Sequence, residues 1–415
     1  MERLRKIGFS KLSSLEETVN KLFERIKVLP DEEIETKFAL NRILAEDIVS
    51  KINVPHFDRS AMDGYAIIAE DSFGASQKSP KVVKKIGTIE IGEAKDIKIK
   101  QGEAVRISTG AAIPEGANSV VKIEDTEIEN EEVTLYTSVA PGKNVSKQGE
   151  DIKEGETILE RGLQLGPEHI SLITSQGINK IAVKLQPNMS VFSTGDELVE
   201  LGQELGKNQI YNSNTPMISN LVKAYGGLVV REDTLKDNKQ LIKTELFEAL
   251  EISDIIVFTG GTSVGTKDLL PEIMNEEAEV FVHGIATRPG APLLISFLQE
   301  KVIFCLPGTP VAAYVNFLRI VGPTIRKMMD SKKVDPRVEV SATLTRDVPV
   351  SYLGYVHYLR VKLEKEENQF YASPVRLKGS GVISSLTRAD GIVEISPSEE
   401  GLFKGDKVLV KLFPK

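Results

Sequence analysis

The sequence predicts a multidomain protein of the α/β-plus-β class. It should have a central α/β sheet domain, an inserted small β domain, a split and mostly helical N-terminal domain and a C-terminal β-barrel-like domain. Three observations support this prediction. A chain of 415 residues is longer than one domain of about 150 residues. Strand-like and helix-like runs alternate over residues 184–328, and period-two patterns dominate two other stretches.

The N-terminal domain is predicted from helical periodicity. Apolar residues recur at spacings of three and four over residues 11–28, where Ser13 and Glu16 form a capping-box pattern. Residues 38–49 predict a second helix, and residues 167–175 predict a third that Gly177 would end. We expect residues 1–50 and 147–183 to form one domain.

Two β domains follow from alternating apolar residues and turn signals. Residues 51–146 form the inserted domain in this interpretation, with turns at Gly102 and at Pro141-Gly142. Residues 329–415 contain five strand-like runs separated by Gly, Pro and Asn turns. The α/β domain between them, residues 184–328, is where a ligand is expected, because open α/β sheets bind ligands beyond the carboxyl ends of their strands.

The loop after the first predicted strand of the α/β domain carries two adjacent carboxylates, Asp196 and Glu197. Such a pair can hold a divalent cation or accept N–H donors from a heterocycle. An ordinary exposed turn explains this feature equally simply. The loop alone therefore leaves both interpretations open.

A glycine-rich loop follows the strand predicted at residues 254–259. Its glycines would let backbone N–H groups approach an anion, and its hydroxyl groups add donors. Asp268, at the end of the loop, could place a metal ion beside a bound phosphate. The loop is neither GxGxxG nor a P-loop, and its candidate binding residues are Gly260, Gly261, Ser263 and Gly265.

Two further loops of this domain also favour anions. Arg288 stands on a proline- and glycine-rich loop, where its guanidinium can donate two parallel hydrogen bonds to an oxyanion. Pro307 and Pro310 frame the start of the last helix, whose N-terminal dipole favours negative charge. Together, these loops predict a site for an anionic ligand, with a metal ion beside it.

Composition excludes several other classes of protein. The chain has 52 Lys and Arg residues and 60 Asp and Glu residues, so its net charge is −8. This mild acidity argues against nucleic-acid or anionic-membrane binding. The single cysteine, Cys305, lies in an apolar run and is expected to be a buried core residue. No apolar run has the length of a signal peptide or membrane span, so we expect a cytoplasmic protein.

Five sequence motifs in order resemble the molybdopterin molybdenumtransferase family, the molybdenum insertases. This family is related to the gephyrin E domain and to the plant insertase domain. The motifs are PHFDRSAMDGYA from residue 55, STGAAIPEGANSVVKIED from residue 108, STGDEL with IYNSNTPM, GGTSVGTKD and LPGTPVAA. They run through essentially the whole chain.

The resemblance implies a molybdopterin-binding fold for the α/β domain, an elongated N-terminal domain and a cytoplasmic transferase. The implied reaction inserts molybdenum from molybdate into adenylylated molybdopterin, hydrolyses the adenylyl bond and releases AMP. It also implies Mg²⁺ and a homodimer with a shared active site. An upstream molybdopterin adenylyltransferase and downstream apo-molybdoenzymes would be its protein partners.

The resemblance also assigns roles to individual residues. Catalytic roles fall on Asp63, Thr109, Glu197 and Asp268, of which Asp63 and Asp268 would hold the metal. Substrate-binding roles fall on Asp151, Asp237, Arg360 and Ser380, beside Arg288 and the loop residues above. These groups suit the substrates, because carboxylates accept pterin N–H groups and Arg and Ser donate to a tetrahedral dianion.

The chain departs from the family pattern at the presumed oxyanion site. The family often has lysine at the positions of Arg288 and Ala291, and asparagine at that of Thr309. A tungsten-preferring insertase is therefore an alternative, as is a scaffold or binding protein with the same fold. A molybdopterin adenylyltransferase would not need the SAMDGYA segment or the C-terminal β domain.

Overall fold

The computed structural model describes residues 12–262, 269–376 and 379–414. The chain divides into two compact units. The first comprises Met1–Glu46, Arg161–Pro167 and Lys180–Lys415, and the second comprises Asp47–Glu160 and Glu168–Asn179. Within the described residues the α-helices are α1 Leu15–Arg25, α2 Pro167–Ser175, α3 Asn214–Ala224, α4 Lys239–Ile252, α5 Leu269–Glu277, α6 Pro310–Asn316, α7 Gly322–Met328 and α8 Ser384–Thr387.

The second unit contains a six-stranded sheet of order β4-β1-β3-β2-β6-β5. All neighbours are antiparallel except the parallel pair β2–β3. Tyr65 and Ile67 face one buried cluster and Ala66 faces another, so both sides of the sheet are covered. The strands are β1 Gly64–Ile67, β2 Lys81–Ile89, β3 Glu103–Ile107, β4 Ser119–Lys122, β5 Thr126–Glu129 and β6 Glu132–Leu135.

The first unit contains the predicted α/β sheet. Its order is β8-β7-β9-β12-β11-β10, in which the first four strands are parallel and β11 runs antiparallel to both neighbours. Helices α3, α6 and α7 cover one face, while α4 and α5 cover the other. The strands are β7 Asn188–Thr194, β8 Leu228–Leu235, β9 Ile255–Thr259, β10 Glu279–His283, β11 Leu294–Leu298 and β12 Lys301–Leu306.

The last part of the chain forms a closed five-stranded barrel, as predicted. The strands pair in the ring β13-β17-β16-β14-β15, and β15 returns to β13. Alternate residues such as Val361, Ala372 and Val410 fill its interior. The strands are β13 Glu339–Leu344, β14 Val356–Glu366, β15 Gln369–Arg376, β16 Gly391–Ile395 and β17 Lys407–Leu412.

Short strands and turns complete the described part of the chain. The paired short strands are Asp31–Glu35 with Lys180–Lys184, Ile48–Val49 with Thr157–Leu159, Arg59–Ser60 with Val145–Ser146, Leu198–Val199 with Ile210–Tyr211, and Val348–Pro349 with Gly401–Leu402; Thr287–Arg288 pairs with β14. The remaining turns are the 3₁₀ helices Thr36–Phe38, Ala69–Ser72 and Ile123–Asp125 and the π-helix Phe317–Val321.

The helix predicted over residues 38–49 is wrong. Asn41 has a φ of 65°, which a right-handed helix cannot accommodate. The backbone N–H groups of Leu44 and Ala45 donate to Leu163 and Ala182, 2.9 and 3.0 Å away, instead of to the preceding turn. Within the described residues of 12–50 and 147–184, the chain forms the helices α1 and α2 and four short strands rather than a mostly helical domain. The division into four domains stays a prediction.

Candidate active site

A cleft of about 730 Å³ opens at the carboxyl ends of β7, β9 and β12, where the sheet topology predicts a ligand. It lies within the first unit. The residues of the strand-end loops come together there, because the carboxyl ends of parallel strands meet at one edge. The predicted site residues that line it are Glu197, Asp237, Gly260, Gly261, Arg288, Pro307, Pro310 and Ser380.

The floor of the cleft depends on two glycines. Gly260 has a φ of 98° and its N–H donates to the carbonyl of Leu306, 3.1 Å away. A Cβ at residue 260 would stand 2.4 Å from the carbonyl oxygen of Thr194, and one at Gly308 would stand 3.2 Å from the Cα of Gly260. Glycine is therefore needed at residue 260 for both its backbone angle and its close contacts. The absence of side chains leaves backbone groups accessible to a ligand.

Two carboxylates, Glu197 and Asp237, line the cleft beside β7 and β8. The carboxylate of Glu197 folds over Gly195, where an added Cβ would be 2.7 Å from Oε1. Asp196 is not among the residues that line the cleft, and its Oδ1 accepts the backbone N–H of Asp237 at 3.2 Å. Of the adjacent pair predicted from the sequence, Glu197 therefore lines the cleft, and Asp196 fixes the loop that carries Asp237.

A buried chain of hydroxyl groups lies behind this wall, and sequence reasoning missed it. The hydroxyl of Ser193 is 2.7 Å from that of Thr215 and 2.8 Å from that of Thr259. Asn212 extends the chain, because its Nδ2 donates to Thr215 Oγ1 at 2.8 Å. The sequence feature that could have indicated this network is the presence of polar residues at the ends of otherwise apolar strands. This network fixes the strand ends relative to the start of α3.

The amide of Asn214 was also missed, although it links two walls of the cleft. Its Nδ2 donates to the carbonyl of Gly308 at 2.8 Å, and its buried Oδ1 has no hydrogen-bond partner among the described residues. Asn214 is the first residue of α3, and Gly308 follows β12. The contact therefore holds the two loops at a fixed separation.

Arg288 lies where the first cleft meets a second cleft of about 620 Å³. Its guanidinium carbon is 3.7 Å from the ring centre of Tyr352 and 5.0 Å from that of Tyr355. Arg360, on β14, is buried and lines the second cleft, and Ser380 lines both. The structure thus places Arg288 and Ser380 where the two clefts meet, and Arg360 in the second cleft.

Asp63, Thr109 and Asp151 belong to the second unit. The exposed carboxylate of Asp63 accepts the backbone N–H of Thr109 at 3.0 Å. That hydrogen bond and the nearby Arg106 hold the pKa of Asp63 below its usual range, so the group is ionised at neutral pH. Asp151 is exposed, and its backbone N–H donates to the carbonyl of Val54 at 3.0 Å. Asp63 and Thr109, far apart in sequence, are thus direct neighbours.

Three predicted residues, Ser263, Gly265 and Asp268, lie outside the described residues. In the ranges that the structure describes, no three His, Cys, Asp or Glu side chains cluster as a metal site. Cys305 is fully buried in the core, as predicted, and burial raises the pKa of its thiol. None of the described helices is long and apolar enough to cross a membrane.

Family models match three consecutive parts of the chain. The MoeA N-terminal region, domains I and II, matches residues 13–177. A model described as a probable molybdopterin-binding domain matches residues 190–327, and the MoeA C-terminal region, domain IV, matches residues 341–413. Together they span nearly the whole sequence.

Individual curated proteins also match nearly the whole of this chain. A molybdopterin molybdenumtransferase of Staphylococcus epidermidis is 33% identical over 96% of this chain and 95% of its own. A Methanocaldococcus jannaschii protein named for molybdopterin biosynthesis is 38% identical over 94% of this chain and 96% of its own.

Solved structures agree with the sequence relatives. A molybdopterin biosynthesis MoeA protein of Pyrococcus horikoshii has a TM-score of 0.84 at 31% identity, with coverage of 97% of this chain and 100% of its own. Another structure of a MoeA protein from a Pyrococcus species has a TM-score of 0.82 at 37% identity, with coverage of 97% and 99%. Fold and site thus define an enzyme of molybdenum cofactor biosynthesis. The chain belongs to the MoeA family, and several of its curated relatives are named molybdopterin molybdenumtransferase.

Proposed function

We propose that this protein inserts molybdenum from molybdate into adenylylated molybdopterin, with hydrolysis of the adenylyl bond and release of AMP. The observation that carries the proposal is one cleft in which carboxylates, glycine-lined backbone and a guanidinium line the same space. These are the three kinds of group that a pterin, a pyrophosphate and an oxyanion need. The names of the relatives agree with the transfer of molybdenum to molybdopterin.

The pterin end of the substrate would lie against the carboxylate wall. An aminopyrimidine edge presents N–H donors, and an ionised carboxylate is a pure acceptor. Glu197 and Asp237 are the carboxylates of the cleft wall. The phosphates would lie over Gly260 and Gly261, where the absence of side chains permits close approach and the backbone N–H of Gly261 can donate to them. Ser263, Gly265, Pro307 and Pro310 are proposed to complete this phosphate site.

Molybdate would bind where the two clefts meet. Arg288 and the buried Arg360 supply positive charge, and Ser380 supplies a hydroxyl donor. A tetrahedral dianion matches this set, because guanidinium groups donate to oxyanions in a fixed fork geometry. The dithiolene sulfurs come from the substrate, which is consistent with a single buried cysteine in the protein.

Mg²⁺ is the proposed metal, and it would neutralise charge on the adenylyl phosphate. Magnesium takes one or two carboxylates plus substrate phosphates and water, so it does not require a cluster of three protein ligands. Asp63 fits this chemistry, since it is exposed and its lowered pKa keeps it ionised. We propose Asp63 and Asp268 as the ligands. Asp63 and Thr109 would act on the adenylyl group, and Asp151 would bind substrate.

The assay that tests this function follows AMP release from adenylylated molybdopterin by the purified protein with magnesium and molybdate. We expect AMP release that depends on molybdate and yields a product that activates an apo-molybdoenzyme. Tungstate in place of molybdate is a parallel arm, since a faster reaction with it would identify a tungsten-preferring insertase. Tight pterin binding without oxyanion-dependent AMP release would contradict the proposal and favour a binding protein.

We further propose a homodimer in which both subunits contribute to each active site. The upstream adenylyltransferase and downstream apo-molybdoenzymes would contact it only transiently. Sedimentation at micromolar concentration should show one species near twice the 45.6 kDa mass of the chain. A single 45.6 kDa species that still turns over substrate would contradict the shared site.

A further inference from the structure

Two tyrosines beyond the predicted site hold the guanidinium of Arg288. The 3.7 Å distance from its Cζ to the ring centre of Tyr352 is that of a close cation–π contact. The ring centre of Tyr355 is 5.0 Å from the same Cζ. The ring centres of Tyr352 and Tyr355 are 6.3 Å apart, and the interplanar angle is 67°. In the described part of the chain, the two tyrosine rings are thus direct neighbours of the Arg288 guanidinium.

The segment that carries these tyrosines is tied to the strand that carries Arg288. Thr287–Arg288 pairs in parallel with Val356–His357, and the backbone N–H of Val356 donates to the carbonyl of Ala286 at 2.9 Å. His357 Nε2 lies 2.9 Å from the carbonyl oxygen of Tyr352. The backbone therefore holds the aromatic rings and the guanidinium in one register.

We propose that Tyr352 and Tyr355 are positioning residues that orient Arg288 toward an oxyanion. The same two rings would orient an arginine at residue 288 better than a lysine at that position. This inference rests on the proposed oxyanion role of Arg288. Stacking on a ring uses the face of the guanidinium and leaves its N–H edge free for a bidentate bond. A lysine ammonium is a point charge on a flexible stem, so the same rings would orient it less. Because the Arg288 side chain is already oriented, it loses less conformational entropy when the oxyanion binds.

The test measures equilibrium binding of molybdate and of tungstate, without pterin, by calorimetry. Tyr352→Leu should weaken binding about fivefold, the size expected for an exposed cation–π contact. Tyr352→Phe keeps the ring and should bind like the original protein. Tyr355→Leu should have a smaller effect, because its ring is farther from Arg288. Thermal unfolding of each variant checks that the fold is intact.

A double-mutant cycle separates positioning from a general structural role. Arg288→Lys should weaken binding, and Tyr352→Leu added to it should cause little further loss. In turnover, Tyr352→Leu should raise KM for molybdate and leave KM for adenylylated molybdopterin unchanged. Additive losses, or equal binding by Tyr352→Leu and Tyr352→Phe, would overturn the inference. Oxyanion binding that shows this coupling without AMP release would refute the proposed function and leave this inference standing.

Discussion

Replacing Asp63 with asparagine should lower kcat on the order of 100-fold and leave the affinity for adenylylated molybdopterin nearly unchanged. Asparagine keeps an oxygen that can accept the backbone N–H of Thr109, now 3.0 Å from Asp63 Oδ1. The loop should therefore keep its shape. What the variant lacks is the negative charge, which the lowered pKa preserves in the original protein at neutral pH. Single-turnover AMP release and pterin binding measure the two effects separately.

Asp58 provides a matched control in the same loop. It is a partly exposed carboxylate with a lowered pKa, and it accepts hydrogen bonds from Lys147 Nζ and from the backbone N–H of Gln148. Asp58→Asn removes the same charge nearby and should change kcat less than twofold, because a surface ion pair contributes little. If Asp63→Asn and Asp58→Asn behaved alike, Asp63 would have no special role. An equal loss of binding and turnover in Asp63→Asn would indicate a binding role instead.

Replacing Gly260 with alanine should lower the free energy of unfolding by about 3 kcal/mol and abolish the phosphate site. Its φ of 98° disfavours any side chain, and a Cβ would be 2.4 Å from the carbonyl oxygen of Thr194. This oxygen belongs to the backbone at the end of the buried strand β7, so it cannot move away without disturbing the sheet. Chemical denaturation and phosphate-analogue binding measure the two losses.

Gly202 separates backbone strain from the steric clash. It has a similar φ of 88°, but a Cβ added there meets nothing within 4 Å. Gly202→Ala should therefore cost only the backbone strain, about 1 kcal/mol. Equal destabilisation by Gly260→Ala and Gly202→Ala would show that the close approach to Thr194 is unimportant.

Local patterns were sufficient for much of the fold. The helix predicted at residues 167–175 is α2, with the same bounds, because its periodicity and its ending at Gly177 are encoded within a few residues. The parallel strands β7, β9 and β12 were also evident, since buried strands read as continuous apolar runs. The loops that line the cleft followed from this topology, as strand ends in a parallel sheet meet at one edge.

The errors and omissions have a common physical cause in long-range contacts. Residues 38–49 have apolar residues at helical spacing, yet the backbone N–H groups of Leu44 and Ala45 donate to residues more than a hundred positions away, Leu163 and Ala182. The antiparallel strands β10 and β11 were missed because their pairing depends on neighbours in space. Tyr352 carries no motif, and only the fold places it on Arg288.

The amino-acid sequence by itself determined the class of fold, the family and the kinds of group in the site, because residue types and short-range periodicity specify these. Tertiary structure decided which carboxylate of Asp196 and Glu197 lines the cleft, which hydroxyls support it and what orients Arg288. Each of these depends on the direction of a side chain relative to residues distant in sequence. Such directions are fixed only when the sheet, its helices and the barrel pack together.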